Sequence, residues 1–251
     1  MLVSMPHIGL EIPLQLHGSY TPRALGVEDT DWHLAQLYDF LPDLGISVLQ
    51  AEFSRYVIDL NRPPDDTPMY PGAANTELCP THFFGGDALY KPGQEPSPQE
   101  VQRRREHFWQ PYHDALAAEL ARIKAIHGFA LLWDAHSIRS HIPWLFAGKL
   151  PDLSIGTASG AAAAPAISDA VANAIDGFSH VTNGRFKGGY ITRHYGQPTE
   201  NIHAIQLEKC QSLYMQETPP FPYDQALASK LQPTLKRMVE ASLQAVRALY
   251  D

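Results

Sequence analysis

Two histidines, His7 and His136, each stand just beyond a short run of strand-forming residues. Two aspartates, Asp29 and Asp31, precede a stretch with helical spacing. Imidazole nitrogens with a carboxylate oxygen are the donors of a catalytic zinc, which keeps about three protein ligands and one open position. Such a metal polarises a carbonyl and brings the pKa of bound water to about 7. Asp31 is the favoured carboxylate and Asp29 its rival. Asp134 lies two residues before His136, so on a strand both face one side. Asp134 can then orient the imidazole through its other ring nitrogen. The competing reading is that both histidines satisfy buried backbone groups, because neither HExxH nor CxxC spacing is present.

Three further groups bear on chemistry. Asn61-Arg62 offers an amide beside a guanidinium, which suits a carboxylate ligand, although Asn-Arg-Pro-Pro is also good turn chemistry. Arg193 follows a run containing Gly188-Gly189 and offers another cation to an acidic substrate, or else sits solvated on a hairpin. Glu208 ends the apolar run Ala204-Ile-Gln-Leu, where a buried carboxylate is costly unless paired or functional. Beside a metal-bound water it would act as a general base. Its bland alternatives are an ion pair with Lys209 or a helix cap.

Nucleophile readings are weaker. Ser159 is one place off G-x-S-x-G, and nothing around Cys79 or Cys210 argues for an activated thiolate. No nucleotide-binding glycine loop is present.

The elements that must position these residues alternate between strand and helix. Strands are expected at 1–5, 46–53, 55–61, 128–134, 186–193 and 203–208. Helices are expected at 34–44, 98–126 (kinked at Pro111), 161–176 and 223–250. Residues 62–98, rich in Pro and Gly, read as a functional loop. The pattern predicts one domain over 1–251, a three-layer α/β/α sandwich with a mixed, largely parallel sheet. Ligands of such sheets bind beyond the C-terminal strand ends, where His7, Asn61-Arg62, His136 and Glu208 all fall.

Composition excludes several classes. Of 251 residues 44% are hydrophobic, enough for a sizeable core, and a net charge of −8 disfavours nucleic acid or an anionic membrane as partner. No apolar run approaches the roughly 20 residues of a membrane span, and the N-terminus lacks a basic signal-peptide flank. Two cysteines cannot build a disulfide framework. A soluble, cytoplasmic protein is expected.

Taken in order, Pro6-His7-x-Gly9, Asp29-x-Asp31, Ser54-Arg55-Tyr-Val-Ile-Asp-Leu-Asn61-Arg62-Pro63, Asp134-Ala-His136-Ser137, Phe186-Lys-Gly-Gly-Tyr190 and Gln206-Leu-Glu208 resemble the N-formylglutamate amidohydrolase (deformylase) family. The resemblance runs from about residue 4 to 215. It implies a fold like the zinc carboxypeptidases and the aspartoacylase/succinylglutamate desuccinylase group. It also implies hydrolysis of N-formyl-L-glutamate to L-glutamate and formate, in histidine degradation, with a small acidic molecule as partner. A divalent metal, zinc, would be held by His7, Asp31 and His136, with Glu208 as base. Asn61, Arg62 and Arg193 would clamp the substrate carboxylates, helped by Arg55. One departure stands out: the His-x-x-Glu of those relatives is absent, since His7 is followed by Glu11. The carboxylate ligand is therefore assigned to Asp31, with Asp29 and Glu11 behind it. Two rival readings remain, a deacylase of another N-acyl acidic amino acid and a non-catalytic binder of acidic metabolites. Glu208 and His136 argue against the second.

Overall fold

The longest strands, β3 (Ala130–Ile138) and β6 (Ile202–Cys210), run side by side through the middle of one six-stranded sheet. The computed structural model describes residues 1–69, 76–145 and 147–251. With β1 (Leu2–Met5), β2 (Ser47–Gln50), β4 (Leu153–Gly156) and β5 (His180–Thr182), the order is β2-β1-β3-β6-β4-β5. Every pairing is parallel except β4 with β6. The expected mixed, largely parallel sheet is therefore present.

Parallel strands covered by helices on both sides read as buried throughout, as β1 and β3 do. Val3, Met5, Trp133, Ala135, Ile205 and Leu207 face one helical layer. That layer is α1 (Leu34–Leu37) with two later helices, Pro165–Asn173 and Gln225–Arg247. On the opposite face Leu2, Ala130, Leu132 and Ala204 meet Leu116, Leu120 and Ile123 of a long helix.

That long helix has three parts: α2 (Pro98–Arg104), a π-helical turn (Arg105–Trp109) and α3 (Gln110–His127). The Ser97 hydroxyl caps its start by accepting from Glu100 N. The predicted kink at Pro111 takes the form of the π turn just before it. Proline lacks an amide hydrogen and its ring crowds the carbonyl four residues back, and the widened turn relieves both. The remaining helices are α4 (Pro165–Asn173), α5 (Tyr190–Tyr195) and α6 (Gln225–Arg247), the last capped by Asp224.

Several expectations are corrected. The helix over 34–44 stops after α1: Tyr38 leaves the helical conformation, Pro42 lacks the amide that would reach the Tyr38 carbonyl, and a 3-10 turn ended by Gly45 follows. Residues 55–61 form turns, not a strand, since β1 already pairs with β2 and β3. Residues 186–189 are loop and 190–195 are α5. The short strands β4 and β5 were not expected at all. Within 62–98, residues 70–75 lie outside the described residues. Elsewhere the loop folds back on the chain, and Tyr20, Val57, Phe83, Leu89 and Tyr90 share a small separate core. Among the described residues no helix is long and apolar enough to cross a membrane.

Candidate active site

Side chains alternate across a strand, so every second residue of β3 and β6 shares a face. On the α3 face Leu132 and Ala204 are apolar, and the next positions along are Asp134 and Gln206, then His136 and Glu208, paired in register. Ser4 stands level with Asp134 on β1. The polar positions thus gather at the C-terminal end of the sheet, as expected. His136 lies inside β3 rather than after it, which puts it directly beside Glu208.

The turn after β1 brings His7 to the same place. Gly9 allows that turn to press on the neighbouring chain, for a Cβ there would stand 2.2 Å from the Phe53 carbonyl oxygen. His136 Nδ1 lies 3.2 Å from His7 Nδ1 and 3.2 Å from Asp31 Oδ2. His7 Nδ1 is 3.8 Å from the same carboxylate oxygen. All three side chains are buried.

The far nitrogens are held as well. His7 Nε2 is 2.7 Å from Asp59 Oδ1, and His136 Nε2 is 3.0 Å from Asp134 Oδ2. Arg55 Nη2 and Asn61 N donate to Asp59 at 2.6 and 2.9 Å, and Ser4 Oγ donates to Asp134 at 3.1 Å. Ser137 N donates to Asp31 Oδ2 at 3.0 Å. Two imidazole nitrogens and a carboxylate oxygen within 4.8 Å of one another form a set that can hold a metal ion. Carboxylates on both far nitrogens are the usual support of such ligands.

The rival carboxylates are elsewhere. Asp29 Oδ1 accepts from Arg139 at 2.8 Å, and its Oδ2 accepts from Tyr56 OH and Phe84 N. Glu11 is exposed and its amide pairs with Glu52 O. Asp31 alone of the three faces both histidines.

Electrostatics divide the site. Burial, helped by Arg55, lowers the His7 pKa. Burial also opposes charge on His136, but the Asp134 and Asp31 carboxylates outweigh it and raise its pKa to about 10. Asp31 is held below the usual carboxylate range: burial opposes this, but the His136 hydrogen bond and the His7 charge outweigh it. Burial, with Asp31 nearby, pushes Glu208 up to about 7. Lys209 points to the other face of β6, where its Nζ donates to His136 O at 2.6 Å, so it is no ion-pair partner for Glu208.

Glu208 and the three metal-binding candidates line a cavity of about 360 Å³, a volume suited to a small metabolite. Arg55, Asn61 and Arg62 line it too. Arg55 is engaged with Asp59, and Arg62 is tied to Thr76 through Nε and Nη2. Asn61 Oδ1 accepts from Ile191 N at 2.8 Å, leaving Nδ2 3.1 Å from His136 Nε2. Gly189 makes room for it, since a Cβ there would fall 2.3 Å from Asn61 Nδ2.

A family model for N-formylglutamate amidohydrolase matches residues 1–215. The chain belongs to the N-formylglutamate amidohydrolase family. An N-formylglutamate deformylase of Pseudomonas putida is 52% identical over 246 residues, covering 97% of this chain and 92% of that protein. One from Pseudomonas aeruginosa is 49% identical, covering 100% of this chain and 95% of its own. Among solved structures, an N-formylglutamate amidohydrolase from Ralstonia eutropha JMP134 superposes with a TM-score of 0.81 at 24% identity. The superposition covers 96% of this chain and 92% of that one, and bears out the α/β fold. A gene product of Agrobacterium tumefaciens shares the fold with a TM-score of 0.72 at 17% identity, over 97% and 90% of the chains.

One residue of this amidohydrolase is placed otherwise than expected. Arg193 is exposed on α5, its Nε donates to Gly188 O at 2.8 Å, and it is not among the lining residues. The reason is that 190–195 is helical, which turns position 193 away from where a strand would carry it. Arg185 and Lys187 line the cavity instead. Their signal lies in the same motif, two cations flanking Phe186 just ahead of the paired glycines. The partner of His7, Asp59, also escaped the sequence reading of its role.

Proposed function

We propose that this cavity hydrolyses N-formyl-L-glutamate to formate and L-glutamate, with Glu208 as the proton carrier. The observation that carries the mechanism is the position of Glu208, in register beside His136 and facing the metal donors, with its carboxyl poised near pH 7. A general base works best when its pKa lies near the working pH.

The two-imidazole, one-carboxylate set of His7, His136 and Asp31 suits zinc, which when bound polarises the formyl oxygen and acidifies water. Asp59 and Asp134 fix the proton of each imidazole on Nε2, so both rings present Nδ1 to the site. Glu208 takes a proton from the attacking water as the oxygen bonds to the formyl carbon. It then returns that proton to the amine nitrogen as the C–N bond breaks, leaving formate and the amino acid. Asn61, Arg62, Arg185 and Lys187 receive the two substrate carboxylates, for which guanidinium and ammonium donors give charge-assisted hydrogen bonds. Arg55 serves from behind, balancing Asp59 and Asp31. Phe84, Ile138, Leu145 and Phe186 supply an apolar wall that limits water around the reacting atoms.

The same reading takes 1–251 as one catalytic domain, supported by a sheet whose strands come from residues 2 to 210 and by α6 closing one face. A cytoplasmic setting accords with Cys79 and Cys210, both buried free thiols. The test is formate release from N-formyl-L-glutamate, with metal analysis of the same sample. Absence of formate overturns the substrate assignment, and activity that survives thorough metal removal overturns the metal.

A further inference from the structure

Four side chains of the α2–π–α3 helix reach across to one loop. Arg104 Nη1 donates to Val57 O at 3.1 Å and His113 Nε2 to Leu60 O at 2.9 Å. Trp109 Nε1 donates to Arg62 O at 3.0 Å and Arg105 Nη1 to Pro64 O at 3.0 Å. This loop carries Asp59, Asn61 and Arg62. It has no strand ladder of its own, so its buried carbonyls depend on donors from outside.

The π turn is what lets one helix supply them. At about 100° per residue, Arg104 and His113 would point to opposite sides of an unbroken α-helix. The extra residue of a π turn takes back about 100° of that rotation and brings Arg104, Trp109 and His113 towards one face.

His113 is the centre of the arrangement. It is buried, stacks on Trp109 with ring centroids 3.7 Å apart, and has Tyr195 on α5 within 3.0 Å of its Nδ1. The same α5 fixes Asn61 through Ile191 N. Leu60 is therefore held between Asp59, which bonds His7, and Asn61, which lies against His136.

We infer that His113 and Trp109 are positioning residues of the reaction, fixing the Leu60 and Arg62 carbonyls so that Asp59 stays on His7 and Asn61 beside His136. The inference rests on the hydrolytic reading of this cavity, and its test includes a readout that needs no substrate. His113→Leu and Trp109→Phe remove the donors and keep apolar bulk, whereas His113→Gln restores an N–H donor. Each variant is measured for kcat, KM, melting temperature and zinc affinity by chelator competition. His113→Leu and Trp109→Phe are expected to lose about tenfold in zinc affinity, the low end for outer partners of metal ligands. Both are also expected to lower kcat with KM little changed. His113→Gln is expected to recover most of both losses. Wild-type kcat and zinc affinity in folded His113→Leu and Trp109→Phe overturn the inference. So does a His113→Gln variant that folds and shows the full loss, because packing would then matter and the hydrogen bond would not. If His113→Leu does not fold, Trp109→Phe decides by the same two readouts. If the wild type releases no formate, the substrate assignment fails and zinc affinity still decides this point.

Discussion

His7 Nε2 lies 2.7 Å from Asp59 Oδ1, and this contact decides which nitrogen of His7 faces the cavity. Arg55, burial notwithstanding, holds Asp59 ionised together with His7, well below the usual carboxylate range. An ionised carboxylate accepts a hydrogen bond from Nε2–H, fixing that proton there and leaving the Nδ1 lone pair towards Asp31 and His136. Asp134 makes the same division at His136.

Asp59→Asn keeps the size of the side chain and removes the charge, so the tautomer of His7 is no longer fixed. Zinc affinity is expected to fall by roughly 10–100-fold, as for other second partners of metal-bound histidines. Chelator competition measures it. Unchanged affinity would sink the role given to Asp59.

Metal-free His136 carries a proton, since its pKa is raised to about 10, and that proton occupies the position a metal would take. Metal uptake at pH 8 is therefore expected to release about one proton, and apparent affinity should climb roughly tenfold per pH unit below 10. Calorimetry in buffers of different ionisation enthalpy reads the release directly; heats independent of buffer would refute it. The same shift makes a stability prediction. A histidine whose folded pKa is raised stabilises fully below its ordinary value of 6.5 and loses that stabilisation as pH climbs to about 10. The metal-free protein should accordingly melt at lower temperature as pH rises through that window, and bound metal should reduce the decline.

Glu208→Gln separates catalysis from stability. Removing a general base is expected to cost about 10²–10⁴-fold in kcat, with metal retained. Burial has pushed the Glu208 carboxyl from 4.5 up to about 7, so keeping it charged at pH 8 costs the metal-free fold roughly 3 kcal/mol. The sign is that of a raised carboxyl: stability falls as pH rises from 4.5 to 7. Gln abolishes this penalty, so the inactive variant should melt higher than wild type at pH 8 and much less so at pH 4. Equal melting at both values would mean that the carboxylate is not strained by burial.

Much of this arrangement is legible in sequence, and the losses have physical reasons. Asp134 and His136 could be paired because strand geometry has a fixed period of two, and β6 repeats it with Gln206 and Glu208. Asp31 could be preferred to Asp29 but the rival not excluded, since what occupies Asp29 is Arg139 and Phe84, which meet it only through tertiary folding. Asp59 looked like part of a strand because Tyr-Val-Ile-Asp-Leu has strand composition. Its actual conformation is set by donors from a helix 47 to 53 residues further along. The strands β4 and β5 are four and three residues long, too short for their periodicity to register.

The cations proposed to receive the substrate can be ranked by placement. Arg185 and Lys187 line the cavity and Arg193 does not, although all three are exposed. A hydrogen bond from a charged donor is worth about 1.5–3 kcal/mol, so Arg185→Ala should raise KM for N-formyl-L-glutamate by roughly 10–100-fold. Lys187→Ala should do so by the lower part of that range, because a lysine offers a point charge without the bidentate fork. Arg193→Ala removes a group whose Nε already serves Gly188 O, and its KM should stay close to wild type. Steady-state kinetics on the three variants settles the ranking. A large KM increase confined to Arg193→Ala would return carboxylate binding to α5 and place the substrate differently in the cavity.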